Sequence, residues 1–315
     1  MAPAAIEGAL LLDKPSGITS HDAVVRIRRL SGESRIGHAG TLDPLATGLL
    51  LLLLGRATRL SPLLTSFGKE YEGEIRLGVS TTTDDREGEP LGPPSEIFPG
   101  SSEIEAAVAR LRGPIRQVPP VYSAKKRDGV PLHRLARRAS PDSPPPPPPP
   151  VDVFVSRFDW EREAPDRIRF RIACSSGTYI RALARDLGSD LGCGGHLDSL
   201  RRTRIGPLRI EDAFPLAELT APAEVSAALR PTAAIPLGLA TAIVNQDGAE
   251  RLLHGREALA IRIEPAGVAG GGAVGTGEPR LRVLSERGRL VAVAEPAGEG
   301  GRLLKPRIVF PDDRD

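Results

Sequence analysis

Residues 49–54 are an unbroken run of six leucines closed by Gly55, and this run restricts the fold more than any other stretch of the chain. A segment with apolar side chains on both faces has to be covered on both faces. It is far shorter than the roughly 20 apolar residues that a membrane-spanning helix needs, so it reads as a buried strand or core segment. The 315 residues suffice for one large domain with an appendage, or for two ordinary domains with cores of their own. The hydrophobic share of 40% agrees with a globular fold, and with only 3% aromatic residues the packing must come from Leu, Val, Ile and Ala.

The neighbouring segments supply candidate cover. Residues 8–13 form a short apolar run that ends at Lys14-Pro15-Ser16-Gly17, a strand entering a turn. Ser20 can cap a following helix whose apolar side uses Ala23, Val24, Ile27 and Leu30, with Arg26 and Arg29 outward. Alternation predicts a half-buried strand over 71–79, and helical spacing marks 104–111. Residues 151–158 and 167–174 read as strands and 178–191 as a helix. The uninterrupted prolines at 144–150 must be extended and cannot join a sheet interior. Beyond a boundary near 231–239, short apolar runs at 258–263, 281–284, 290–294 and 308–310 indicate a small β-rich terminal domain, interrupted by a glycine-rich loop at 267–277.

Lys and Arg total 42 against 40 acidic residues, so net charge does not identify a polyanion binder. Distribution says more. Lys125, Lys126, Arg127, Arg134, Arg137 and Arg138 stand against the single acid Asp128, and Arg201, Arg202, Arg204 and Arg209 form a second cluster. Both suit phosphates, and both suit solvated helix faces equally well. Two cysteines, Cys174 and Cys193, are too few for a disulfide framework or a zinc set, so a reducing cytoplasm is the expected compartment. The first eight residues lack the pattern of a signal peptide, and no pair of His, Cys or acidic residues has metal-ligand spacing.

The most unusual stretch is Gly37-His38-Ala39-Gly40-Thr41-Leu42-Asp43-Pro44-Leu45-Ala46-Thr47-Gly48, an irregular glycine-punctuated loop carrying one carboxylate just before the leucine run. Loops on a rigid core commonly display reactive groups, although spacing alone equally allows an Asp-Pro turn. This string resembles the catalytic motif of the TruB-type tRNA pseudouridine synthases, which act on uridine 55 of the tRNA T-loop. Further resemblances follow in order: residues 10–17 around Asp13-Lys14-Pro15, residues 55–60, Lys69-Glu70-Tyr71 with Leu77-Gly78, residues 121–126, Ser176-Gly177-Thr178-Tyr179-Ile180-Arg181, and Leu200-Arg201-Arg202. Together they cover about residues 8–212.

The resemblance implies an α+β pseudouridine synthase core, with a mixed, mainly antiparallel sheet flanked by helices, over residues 1–235. An RNA-gripping insertion would lie at about 122–150, and a PUA-like β domain would occupy 236–315. The reaction breaks the N1–C1′ bond of uridine, turns the base and rejoins it through C5; reactant and product have the same atoms, so no cofactor is expected. Asp43 would add covalently to the ribose or pyrimidine, or act as a base at C1′. Arg181 would pair with it, and Tyr71 would stack on the base and help remove the C5 proton. The uridine must be flipped outward, with His38 filling the vacated stack. Asp85, Leu200, Tyr179, Lys14, Lys126 and Arg137 complete the expected substrate-binding set. The partner would be the T-arm of tRNA, met by a monomer without membrane or protein partner.

Two other classes remain compatible with parts of the sequence. An RNA-folding protein would need the basic segments and His38 but not Asp43. A glycoside hydrolase would need a second carboxyl group beside Asp43, for which Asp85 is a distant candidate. Departures from the family pattern fall at Val130-Pro131 and His133, where basic residues and a tyrosine are usual, at the proline run, and at Thr82 in place of an acid.

Overall fold

The computed structural model describes residues 6–121, 126–127, 130–131, 148–266 and 279–311. Arg137, Tyr122, Lys125, the prolines at 144–147 and the glycine-rich stretch 267–277 lie outside the described residues, and only the backbone of Lys126 is described. The elements run β1 (Gly8–Lys14), α1 (Ser20–Ser31), β2 (Ile36–His38), β3 (Thr47–Leu54), α2 (Ser61–Thr65), β4 (Lys69–Leu77), α3 (Ser101–Arg110) and β5 (Gly113–Gln117). After the short pair β6 (Lys126–Arg127) and β7 (Val130–Pro131) come β8 (Val151–Ala164), β9 (Arg167–Cys174), α4 (Ile180–Asp190), β10 (Gly195–Ile205), β11 (Leu208–Arg209), β12 (Phe214–Pro215) and α5 (Pro222–Ala228). The remainder is β13 (Ala240–Val244), α6 (Gln246–Leu253), β14 (Ala258–Leu259), β15 (Arg262–Glu264), β16 (Leu281–Ser285), β17 (Leu290–Ala297) and β18 (Leu303–Val309). Two compact units divide the chain: Met1–Phe67 with Arg204–Asp315, and Gly68–Thr203.

In the first unit the leucine run is β3, and all six leucines are fully buried. β1 pairs antiparallel with it from Gly8↔Leu54 to Lys14↔Gly48, and β2 pairs from Ile36↔Leu54 to His38↔Leu52. Alternate leucines point to opposite faces. Leu49, Leu51 and Leu53 join Ala9, Leu11, Leu290, Val293 and Phe310 in one core, so part of the run's cover comes from the end of the chain. Arg56 and Arg59 tie the same ends together, Arg56 donating to Glu7 at 2.5 Å and to the Pro311 carbonyl, Arg59 to the Val309 carbonyl at 2.5 Å. The terminal sheet has the order β14-β18-β17-β16-β13-β15 and a core of its own around Ala242, Val244, Val283, Val291 and Leu304.

In the second unit the strand order is β10-β4-β9-β8-β5. β4 and β9 pair antiparallel from Lys69↔Cys174 to Arg76↔Arg167, and β8 adds to the far side of β9. Ile168, Phe170 and Ile172 are buried while Arg169 and Arg171 between them are exposed, as strand alternation requires. Phe158 meets Phe170 edge-on at 6.2 Å. The mixed, mainly antiparallel sheets and their helices give the α+β class expected from the sequence. No helix among the described residues is long and apolar enough to cross a membrane.

One local expectation is corrected. The N-cap of α1 is Thr19, not Ser20: Thr19 Oγ1 accepts from the Asp22 amide at 3.0 Å, and the Asp22 carboxylate accepts from the Thr19 amide at 2.8 Å. Ser20 is buried and its hydroxyl is committed to the loop described next.

Candidate active site

Asp43 is half-buried, and the backbone on each side of it is tethered by residues from the first turn of the chain. The Ser20 hydroxyl accepts from the Leu42 amide at 2.8 Å and donates to the Leu42 carbonyl at 3.0 Å. The Gly17 amide donates to the Pro44 carbonyl at 2.9 Å, and the Ser16 hydroxyl to Leu45 at 3.1 Å. Gly17, at φ +87, occupies the left-handed region that lets its turn close. On the C-terminal side the Ala46 amide donates to the Asp43 carbonyl at 3.1 Å, forming a tight turn that runs directly into β3. The strings 14–20 and 37–48 are therefore one local structure: the first holds the second.

Lys14, expected as a substrate contact, is 0% exposed. Its ammonium donates to the carbonyls of Pro15 at 2.9 Å, Ile18 at 2.8 Å and Pro44 at 3.4 Å, which places it beneath the Asp43 loop as a tie. Three carbonyl dipoles offset part of the cost of burying the charge. His38 ends β2, half-buried, five residues before Asp43, and the Ala39 amide continues the ladder to Leu51 at 2.9 Å.

In the second unit Arg181 and Asp85 come together. Arg181, 5% exposed in the first turn of α4, lies 3.5 Å from the Asp85 carboxylate and donates to the Thr83 carbonyl at 2.8 Å. Asp85, 4% exposed, also accepts from the Thr83 hydroxyl at 2.5 Å and from the Glu87 amide at 3.1 Å. Its neighbour Asp84 has φ 63, the only positive φ of a non-glycine residue among those described. Burial pushes the Asp84 carboxyl above the usual range, and the Arg185 guanidinium, 3.0 Å away, opposes that shift. Leu197 of β10 closes the arrangement, its amide donating to Asp84 and its carbonyl accepting from the Arg86 amide.

Tyr71 lies on β4, half-buried and opposite Ile172. β10 runs beside it, carrying Leu200, which is 8% exposed. Gly73 permits that approach, since a Cβ there would stand 2.1 Å from the Ser199 carbonyl oxygen. Tyr179 precedes α4, its amide donating to the Gln117 side chain at 2.8 Å while the Gln117 amide returns to the Tyr179 carbonyl at 3.0 Å. Arg185 and Thr83 in these surroundings were not singled out from the sequence, and Lys69 and Arg202 were named there without a role at the base. Arg185 was detectable, standing four residues after Arg181 on one helix face and facing the Asp84-Asp85 pair. Thr83 carried no such signal, and Lys69 and Arg202, though they stand in the quoted motifs, carried none of their burial.

Comparison with known proteins fixes the class. Residues 28–180 match the family described as "TruB family pseudouridylate synthase (N terminal domain)", and residues 181–233 match "tRNA pseudouridylate synthase B C-terminal domain". The chain is 44% identical over 289 residues to a tRNA pseudouridine synthase B of Thermobifida fusca (strain YX), spanning 89% of this chain and 93% of that protein. It is 43% identical over 312 residues to the protein of that name from Leifsonia xyli, spanning 97% of each. Among solved structures, a Cbf5-Nop10-Gar1 complex shares the fold with a TM-score of 0.70 and 24% identity, over 96% of this chain and 85% of that one. These likenesses define an RNA-modifying isomerase of the pseudouridine synthase class. Within it, the chain belongs to the TruB family of pseudouridylate synthases.

Proposed function

We propose that this protein converts uridine 55 in the T-loop of tRNA to pseudouridine. Near-full-length identity to proteins named tRNA pseudouridine synthase B supports tRNA as the substrate. The observation that carries the assignment of Asp43 is the tethering of Leu42, Pro44, Leu45 and Ala46 around it, which fixes the backbone while leaving the carboxylate half-buried. A group held this way loses little orientational freedom when a flipped nucleoside arrives.

In this reading Asp43 meets the ribose or the pyrimidine, the N1–C1′ bond breaks, and the base turns and rejoins through C5. Arg181 keeps Asp43 ionised, and Asp85 keeps Arg181 in place. Tyr71 stacks on the base, Leu200 and Tyr179 shape its pocket, and His38 fills the gap left in the T-loop. Lys14 acts through the loop it ties down, and Lys126 and Arg137 grip phosphates, largely without reading sequence. Residues 1–235 form the catalytic part, and 236–315 a PUA-like RNA-binding part with the separate core noted above. The protein works as a monomer on tRNA in the cytoplasm, a reducing compartment that suits its free Cys174 and Cys193.

The test is Asp43→Asn, assayed with tRNA carrying tritium at uracil C5. The variant should bind tRNA with the affinity of the parent and release tritium on the order of 10⁴-fold more slowly, as removal of a group central to covalent catalysis does. Release at the parental rate overturns the assignment.

A further inference from the structure

Beneath Tyr71 the second unit buries two cations that the scheme above does not use. Arg202, on β10, is 1% exposed; the adjacent Thr203 hydroxyl donates to the Glu70 carbonyl of the neighbouring β4 at 3.3 Å, which brings Arg202 up beside Tyr71, and its guanidinium interacts with the Tyr71 hydroxyl. Lys69 stands two residues before Tyr71 on β4, hence on the same face of the strand, and is 7% exposed. Cys174 lies opposite Lys69 in the pairing with β9. Burial pushes Lys69 down to about 8, and the charge of Arg202 pushes the same way. Burial also pushes the Arg202 guanidinium below its ordinary value, with Tyr71 opposing that shift. The Cys174 thiol is pushed up to about 11, chiefly by burial, so it adds no negative charge near neutral pH.

We propose that Arg202 is a positioning residue for the isomerisation: it fixes the Tyr71 oxygen as a hydrogen-bond acceptor and biases that oxygen toward carrying negative charge. The inference rests on the reading that Tyr71 meets the target base. A guanidinium offers five N–H donors and no acceptor, so the Tyr71 oxygen must accept from it, and its own O–H is turned elsewhere. A cationic donor excluded from water makes that bond stronger than one at the surface. The step served is the last one. Once C5 is joined to C1′, the Tyr71 phenol, having given its own proton to water, takes the C5 proton as the C5–H bond breaks. The bonding pair becomes the C5=C6 double bond, and the displaced C6=N1 pair takes a proton from water at N1. Among the described groups of this unit, Lys69 on β4 and Arg202 on β10 favour the charged oxygen, while the Cys174 thiol on β9 adds no charge.

The experiment is an ultraviolet titration of the phenols in the full-length protein. The chain has three tyrosines, Tyr71, Tyr122 and Tyr179, so subtraction of the Tyr71→Phe curve isolates the Tyr71 transition. In Arg202→Met that transition should move up by about one pH unit, a tenfold change in its ionisation constant; in Arg202→Lys, which keeps a cation without the planar fork, it should move less. An unmoved transition in folded Arg202→Met overturns the proposal. Should Arg202→Met fail to fold by circular dichroism, Arg202→Lys carries the test through turnover. Its rate of tritium release at saturating tRNA should fall about tenfold with KM kept and its pH profile displaced upward, and a profile superimposable on the parent's overturns the proposal. The titration needs no catalysis, so failure of the underlying reading appears separately, as parental turnover by Tyr71→Phe.

Discussion

The loop that displays Asp43 and the charged cluster around Arg181 solve the same problem by different means. Asp43 is fixed through its backbone: neutral hydroxyls, one amide and one buried ammonium grip the peptide groups beside it. Arg181 is fixed through its side chain, by the Asp85 carboxylate at 3.5 Å and the Thr83 carbonyl at 2.8 Å, in a setting almost closed to water. The first arrangement draws on residues within about thirty positions of one another. The second joins residues nearly a hundred positions apart. Backbone tethering therefore spreads the loop's stability over several modest bonds, whereas the charged cluster concentrates it in a few strong ones.

Breaking the cluster should have the larger effect on stability. Asp85→Ala leaves the Arg181 guanidinium buried without that carboxylate and should lower unfolding free energy by about 3–5 kcal/mol, measured by urea denaturation. Asp85→Asn, which keeps the shape and acceptor for Thr83 and Glu87, should cost less. A loss below about 1 kcal/mol for the alanine variant would mean that charge pairing is not what holds this half. The two buried cations give a second, pH-dependent signature. Because Lys69 is depressed from 10.5 to about 8 in the fold, between those values the unfolded chain holds a proton that the folded chain lacks. Stability contributed by this group therefore rises with pH across that window, and its cost is fully present below about pH 8. Lys69→Met should exceed the parent in stability near pH 7 by up to about 3 kcal/mol, with the gap closing toward pH 10.5. A gap that stays constant with pH would show that Lys69 remains charged in the fold.

The same contrast explains how much was legible in the sequence. The leucine run had to be a buried strand or core segment and is the strand β3, and 167–174 alternates so cleanly that its bounds coincide with β9. Asp43, Tyr71 and Arg181 were named from ordered motifs, which report residue identity and order but not partners. Lys14 shows the limit: its motif marked it as important, yet only the folded chain shows the ammonium turned inward onto the Pro15, Ile18 and Pro44 carbonyls. Arg202 was counted in a basic cluster suited to phosphates, whereas it is buried against Tyr71. A buried arginine and a solvated one are the same letter, and what separates them is the strand that arrives beside Gly73 from more than a hundred residues away. Burial of charge is a tertiary property with no local period, and so it escapes pattern reading.

Two adjacent hydroxyls offer the finest division between loop and scaffold. Thr19 caps α1, and Ser20 holds Leu42 by both its amide and its carbonyl. Ser20→Ala leaves two buried backbone groups unsatisfied and should cost about 2 kcal/mol. It should also slow tritium release at unchanged KM, because a loop left loose in the bound complex must be ordered again on the way to the transition state. Thr19→Ala should cost less, about 1 kcal/mol, the ordinary worth of an N-cap. Its exposed site and the intact Asp22 amide, which water can then serve, leave the loop unmoved, so turnover per folded molecule should equal the parent's. If the two variants lose turnover in parallel, then the helix as a whole, rather than the Ser20 hydroxyl, sets the position of Asp43, and the distinction between backbone tether and scaffold fails at this point.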